Sequence, residues 1–234
     1  MIDSTATPPD DKAAGFFGRR KGKRLRGEQA DRIDHVLPTF RLDLSGPVLV
    51  PQQLFARPVE DLWLEIGFGG GEHLADNAAR HPSIGFIGCE PFVNGVAKLV
   101  AEIQHRALPN IRIHDGNASD VLAKLPAASI GRIDLLYPDP WPKRRQRKRR
   151  FVSDKSLKAL ARVLRPGGEF RFASDIDDYI GWVLQRIARS PDFLWTAEKA
   201  VDWTTPFPDW PGTRYEAKAL REGRKPSYLR LIRV

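Results

Sequence analysis

From residue 61 onward the chain alternates short apolar runs with amphipathic stretches, and this alternation restricts the fold more than any other feature. The runs are Leu62–Ile66, Ile84–Cys89, Ile111–His114, Ile133–Tyr137 and Glu169–Ala173. They read as strands buried in a mostly parallel sheet. Between them, Val93, Val96, Ala97 and Val100 take helical spacing after Pro91, a favourable helix opener. Leu157, Leu160, Ala161 and Leu164 repeat that spacing until Arg165-Pro166-Gly167-Gly168 stops it, and Ile180, Val183, Leu184 and Ile187 repeat it again. Strand–helix alternation of this kind predicts an α/β, doubly wound sheet. Beyond residue 190, Trp195–Trp203 and Tyr228–Val234 read as two closing antiparallel strands, which brings the sheet to seven. The 234 residues suit one domain over residues 31–234, preceded by a polar arm over residues 1–30.

Charge and cysteine content narrow the class. Lys and Arg number 38 against 29 Asp and Glu, a net charge of +9 that favours a polyanionic partner. Six of the eight residues Arg19–Arg26 are basic and none is acidic, so this part of the arm is expected to stay mobile until it meets an anion. A single cysteine, Cys89, excludes a disulfide framework and a cysteine-built zinc site, and no metal is expected. No apolar run reaches the roughly 18 residues of a membrane span, and the first thirty residues carry no apolar signal core. The expectation is a cytoplasmic protein with no membrane partner. The sequence leaves its oligomeric state open.

In a doubly wound sheet, ligands sit beyond the carboxyl ends of the strands. The first run leads into Gly67-Phe68-Gly69-Gly70-Gly71-Glu72. This is either a tight strand–helix turn or a loop that lets a nucleotide-like ligand approach the backbone. The dinucleotide pattern G-x-G-x-x-G would need glycine where Glu72 stands, which disfavours NAD and FAD. A ligand with one carboxylate and added positive charge, such as S-adenosylmethionine, suits it better. Glu90 ends the second run at the distance of a ribose-binding carboxylate. Asn117, after the third run, suits either an adenine edge or a helix N-cap.

The fourth run exits through Tyr137-Pro138-Asp139-Pro140-Trp141-Pro142-Lys143, where three alternate prolines fix an extended backbone and place a carboxylate, an indole and an amine. Seven of the next eight residues, Lys143–Arg150, are basic. A solvated face would explain a charge run, but its position after the presumed active-site strand points to a nucleic-acid backbone held beside the site. Among the late aromatics Trp203, Phe207 and Trp210 read as core, leaving Trp141 and Tyr215 to stack on a base.

Pro138-Asp139-Pro140-Trp141-Pro142-Lys143 and the basic run after it resemble the bacterial tRNA (guanine-N7)-methyltransferase family. Leu64–Gly71, Ser174-Asp175 and Thr213-Arg214-Tyr215-Glu216 resemble other motifs of that family, in order. The resemblance implies a Rossmann-like, S-adenosylmethionine-dependent methyltransferase fold. The implied reaction is methylation of N7 of the variable-loop guanosine at tRNA position 46, with tRNA as partner. It places Glu65, Gly67, Gly69, Gly71, Glu90, Asn117 and Asp139 at the cofactor, with Asp139 catalytic. It places Lys143, Asp175, Thr213, Arg214, Tyr215 and Glu216 at the nucleoside. It places Arg145, Gln146, Arg147, Lys148, Arg149 and Arg150 on the RNA. Asn117, Ser174 and Gln146 stand where the family commonly has Asp, Thr and His. Two other readings remain: a methyltransferase acting on the adenine amino group, and a non-catalytic RNA-binding protein on the same scaffold.

Overall fold

The computed structural model describes residue 18 and residues 20–234. Most of the arm, including Arg19, therefore lies outside the described residues. Among those described, the strands are β1 (Asp61–Ile66), β2 (Ile84–Cys89), β3 (Ile111–His114), β4 (Ile130–Leu136), β5 (Leu164–Ser174), β6 (Phe193–Trp195) and β7 (Ser227–Arg233). They form one sheet in the order β3-β2-β1-β4-β5-β7-β6. β1 to β5 run parallel, and β7 pairs antiparallel with both β5 and β6.

The helices are α1 (Gly27–Asp31), α2 (Leu37–Phe40), α3 (Glu72–Arg80), α4 (Val93–Arg106), α5 (Ala118–Lys124), α6 (Asp154–Val163), α7 (Asp177–Ile187), α8 (Val201–Thr204) and α9 (Arg214–Arg221). A π-helical turn joins α1 to α2, and short 3-10 turns lie at Pro51–Gln53 and Arg144–Arg149. On one sheet face, Leu74 and Ala78 of α3 and Val96, Leu99 and Ile103 of α4 pack against Phe86 and Ile111. On the other, Leu157 and Leu160 of α6 and Tyr179 and Val183 of α7 pack against Leu62, Leu64, Ile133 and Phe172. Both layers come from the i, i+3, i+4 apolar spacing that marks a helix buried on one side.

The first four strands lie within three residues of their expected bounds. β5 is longer than expected because Leu164 continues from α6 into pairing with Ile130, and the glycines that follow give a register shift rather than a break. The expected strand Trp195–Trp203 is not formed. β6 ends at Trp195, because Asp202 accepts the N–H groups of Glu198 (2.9 Å) and Lys199 (2.8 Å) and closes the chain into α8. Trp203 then folds back on Trp195, with ring centroids 5.3 Å apart.

Strand order reverses between β1 and β4, the point where a doubly wound sheet opens a crevice. The parallel register Glu65↔Asp134 and Ile66↔Leu135 brings the glycine turn after β1 beside the proline-rich exit from β4. Residues far apart in sequence thus share one strand-end ledge.

Candidate active site

A cleft of about 990 Å³ opens above the carboxyl ends of β1 to β4. Gly67, Gly69, Glu90, Asn117, Asp139, Trp141, Arg214 and Tyr215 all line it. The glycine turn needs left-handed backbone, with φ of 72° at Gly67, 60° at Gly69 and 81° at Gly71. Any larger residue would strain it. Gly95 opens α4 against this turn so closely that a Cβ there would overlap the Gly69 carbonyl oxygen.

Glu90 is buried, and both its oxygens brace the turn. One accepts the Gly69 N–H at 2.8 Å and the other accepts the Phe92 N–H at 2.9 Å. Burial raises its pKa, against the lowering effect of those two N–H donors. Each oxygen keeps a second lone pair, so the carboxylate can still accept from a ligand hydroxyl. Asn117 caps α5, its oxygen accepting the Ser119 N–H at 3.1 Å while the residue lines the cleft. The two readings of Asn117 are therefore compatible. Asp139 is reachable by solvent, yet partial burial by the cleft walls raises its carboxyl above the ordinary aspartate range. Its neighbours Tyr137 and Trp141 hold positive φ, 50° and 42°, which sequence inspection does not reveal.

Glu65 sits below the turn, buried, and accepts from His73 Nδ1 at 2.7 Å. Burial opposes charge on His73, but the Glu65 carboxylate outweighs it and the His73 pKa is raised. Glu65 borders a second, small cavity together with Gly67, Glu72, His73 and Thr213–Tyr215.

Several residues expected at the nucleoside or the RNA have partners within the fold. Arg150 is buried: it donates to Pro140 O at 2.8 Å, pairs with Asp178, and lies over the rings of Tyr179 and Trp182. It cannot reach RNA without unpacking α7. Arg147 is tied to Asp178 at 2.6 Å, and Arg149 lies 4.9 Å over Trp141. Arg144, Arg145 and Lys148 are exposed along the 3-10 turn, and Gln146 is half-buried. Lys143 is exposed at the start of this turn, outside the residues lining the cleft. Asp175 follows β5 and lines neither cavity, and Arg224 holds its carboxylate at 2.5 Å.

Glu216 is likewise removed from the cleft. It is buried, accepts from Trp210 Nε1 at 2.7 Å and from the Tyr228 hydroxyl, and completes a capping box with Thr213. The box fixes where α9 begins and so aims Arg214 and Tyr215 at the glycine turn. Tyr215 remains 48% exposed, enough to offer a ring face. Phe207, Trp210 and Tyr228 form an edge-to-face cluster, as core aromatics do.

Among the described residues no group of three or more His, Cys, Asp or Glu could hold a metal ion. Among them also, no helix is long and apolar enough to cross a membrane. The described end of the arm lies over α4: Val93 N–H donates to Arg20 O (3.0 Å), Gly22 N–H to Asn94 Oδ1 (2.8 Å), and Asn94 Nδ2 to Lys23 O (2.8 Å).

A family model described as "Putative methyltransferase" matches residues 60–228. A tRNA (guanine-N(7)-)-methyltransferase of Nitrobacter hamburgensis is 56% identical over 99% of this chain and 91% of its own. Another, of Rhizobium meliloti, is 58% identical over 94% of this chain and 95% of its own. The fold is shared with the 16S rRNA methyltransferase KamB, with a TM-score of 0.52 at 19% identity over 75% of this chain and 89% of that one. It is also shared with a 16S rRNA (adenine(1408)-N(1))-methyltransferase of Catenulisporales acidiphilia, with a TM-score of 0.52 at 13% identity over 80% and 97%.

Proposed function

The chain belongs to the tRNA (guanine-N(7)-)-methyltransferase family, and from that premise we propose that the cleft above β1 and β4 is where its methyl transfer takes place. The protein uses S-adenosylmethionine to methylate N7 of guanine in tRNA. The observation that carries the assignment of the cleft is the meeting, in one opening, of the glycine turn, Glu90 and Asp139. A volume of about 990 Å³ is at the top of the roughly 300–1,000 Å³ range of ligand pockets, which suits a cofactor and a base together.

The donor set fits the cofactor. Gly67, Gly69 and Gly71 keep the turn free of side chains, and Glu90 has lone pairs for the ribose hydroxyls. Asn117 would hold the purine, and Glu65, from the small cavity beside Gly67, would hold the amino-acid end. Bound S-adenosylmethionine supplies a methyl group on a positively charged sulfur. Guanine N7 carries a lone pair and no proton, so no side chain has to act as a general base. The task left to the protein is to hold the base and stabilise the positive charge that develops on it. Asp139 does this at the cleft wall, and Trp141 and Tyr215 offer ring faces to an unstacked base. N7 lies in the deep, narrow groove of an RNA duplex, out of reach of side chains, so the target is a loop base. The variable-loop guanosine meets that requirement, and the cytoplasm is the compartment in which its tRNA would be met.

The exposed cations of the 3-10 turn serve the phosphate backbone. The double substitution Arg145→Ala with Lys148→Ala should lower the log–log salt slope of tRNA binding by about 1.4, at roughly 0.7 per single-strand phosphate contact. Fluorescence anisotropy across a salt series measures this, and an unchanged slope would return the turn to a solvated face. The overall assignment is tested by incubating the protein with S-adenosylmethionine and bulk tRNA, then analysing nucleosides. 7-Methylguanosine is expected. Methylated adenosine instead, or no methylated nucleoside at all, would refute it.

A further inference from the structure

Beneath the glycine turn lies a chain of buried polar side chains of which the transfer described above uses only Glu65. Glu65, His73, Asn77, Arg132 and Asp134 are each more than nine-tenths buried. Arg132 donates from Nε to Asp134 at 2.9 Å and from a terminal nitrogen to Asn77 Oδ1 at 3.2 Å. Its guanidinium also lies 3.6 Å over the Trp63 ring, so it is fixed from three sides. Because the Asn77 oxygen is taken by Arg132, the amide turns its nitrogen toward His73. Asn77 Nδ2 lies 3.1 Å from His73 Nε2 and donates to His73 O at 2.9 Å. Nε2 of a neutral ring therefore accepts, and in either protonation state Nδ1 carries the hydrogen that Glu65 Oε2 accepts at 2.7 Å. Trp210 covers the imidazole, with ring centroids 4.9 Å apart.

This order has a direction. A hydrogen bond on one carboxylate oxygen fixes where the other points. Glu65 Oε1 accepts from no side chain or N–H among the described residues, and Glu65 borders the small cavity beside Gly67, Arg214 and Tyr215. We infer that His73, oriented through Asn77 and Arg132, is the positioning residue that aims the Glu65 carboxylate at the ammonium of the amino-acid end of S-adenosylmethionine. This rests on the reading that Glu65 faces that end of the cofactor. Asp134 also leaves one oxygen, Oδ1, without a partner, but Glu65 is the carboxylate of the network that borders the small cavity. An unmade partner for a buried carboxylate is costly.

The test compares binding of S-adenosylmethionine with that of 5′-methylthioadenosine, which lacks the amino-acid end. His73→Leu should weaken S-adenosylmethionine by about 10-fold and leave 5′-methylthioadenosine unchanged. His73→Asn, whose amide nitrogen can stand in for Nδ1, should restore most of the loss. Equal weakening of both ligands, or no rescue by His73→Asn, would overturn the role of His73. Glu65→Gln separates the two levels. If it discriminates between the ligands while His73→Leu does not, the His73 inference fails and Glu65 keeps its place. If Glu65→Gln does not discriminate, the assignment of Glu65 itself falls, and the inference with it.

Discussion

Replacing Asp139 by Ala should lower turnover by about 10- to 200-fold while tRNA binding largely survives. The lower and upper figures correspond to losing one charge-assisted hydrogen bond of about 1.5–3 kcal/mol made as positive charge builds on the purine. The residue is suited to that task by where β4 ends. Pro138 and Pro140 flank it in an exit that turns left-handed at Tyr137 and Trp141 instead of running extended, and the β1–β4 register sets it across from the glycine turn. Only the ionised carboxylate can stabilise the cation. Burial raises the Asp139 pKa, so the proton returns at a higher pH than for an exposed aspartate. Activity should therefore fall on the acid side through a pKa above the ordinary aspartate range. Asp139→Asn should lose that acid limb along with most of the rate. Single-turnover assays across pH, alongside tRNA binding, measure all three effects. A near wild-type rate for Asp139→Ala would remove the residue from the chemistry.

The positions just after each apolar run were legible because a strand that is buried along its length and then turns polar marks its own end. Glu90, Asn117 and Asp139 were found this way, and the sheet brings them to one cleft. What sequence could not give was the partner of each charge. Arg150 looks like any other cation in its run, yet it is paired with Asp178 and stacked on Tyr179, both of α7. Asp175 looks like a free acid beside the site until Arg224 is seen to hold it. Glu216 is placed at the nucleoside by the resemblance of Thr213-Arg214-Tyr215-Glu216 to the family's motif. Its neighbour three residues back, Thr213, is the signal that could have corrected this, since Thr-x-x-Glu is the pattern of a capping box. Nothing local in the sequence marks His73, because its partner Glu65 lies on the preceding strand and faces it across the turn. The strand expected over Trp195–Trp203 failed for a similar reason: Asp202 caps a turn with N–H groups that a strand would have used elsewhere.

Gly95→Ala sets two effects against each other. The backbone at Gly95 is helical, so Ala should on propensity alone stabilise α4 by about 1 kcal/mol. The added Cβ, however, would overlap the Gly69 carbonyl oxygen and lie 3.4 Å from Glu90 Cγ. Backbone cannot swing aside as a side-chain tip does. Relief requires α4 to back away or the Gly69 peptide to rotate, and Gly69 N–H is the group that Glu90 holds at 2.8 Å. Overpacking of this kind costs about 1–3 kcal/mol, which outweighs the propensity gain or cancels it. The effect on the site should be larger than the effect on the fold. A shift of about 1 Å in groups that position a reactant can cost about 100-fold in rate, so kcat/KM for S-adenosylmethionine should fall by about that factor. Gly181→Ala, in the middle of α7 where a Cβ meets nothing within 4 Å, supplies the control. It should raise thermal stability slightly and leave the kinetics unchanged. If Gly95→Ala behaves like Gly181→Ala, the close approach of α4 to the glycine turn is not what holds the cofactor site in shape.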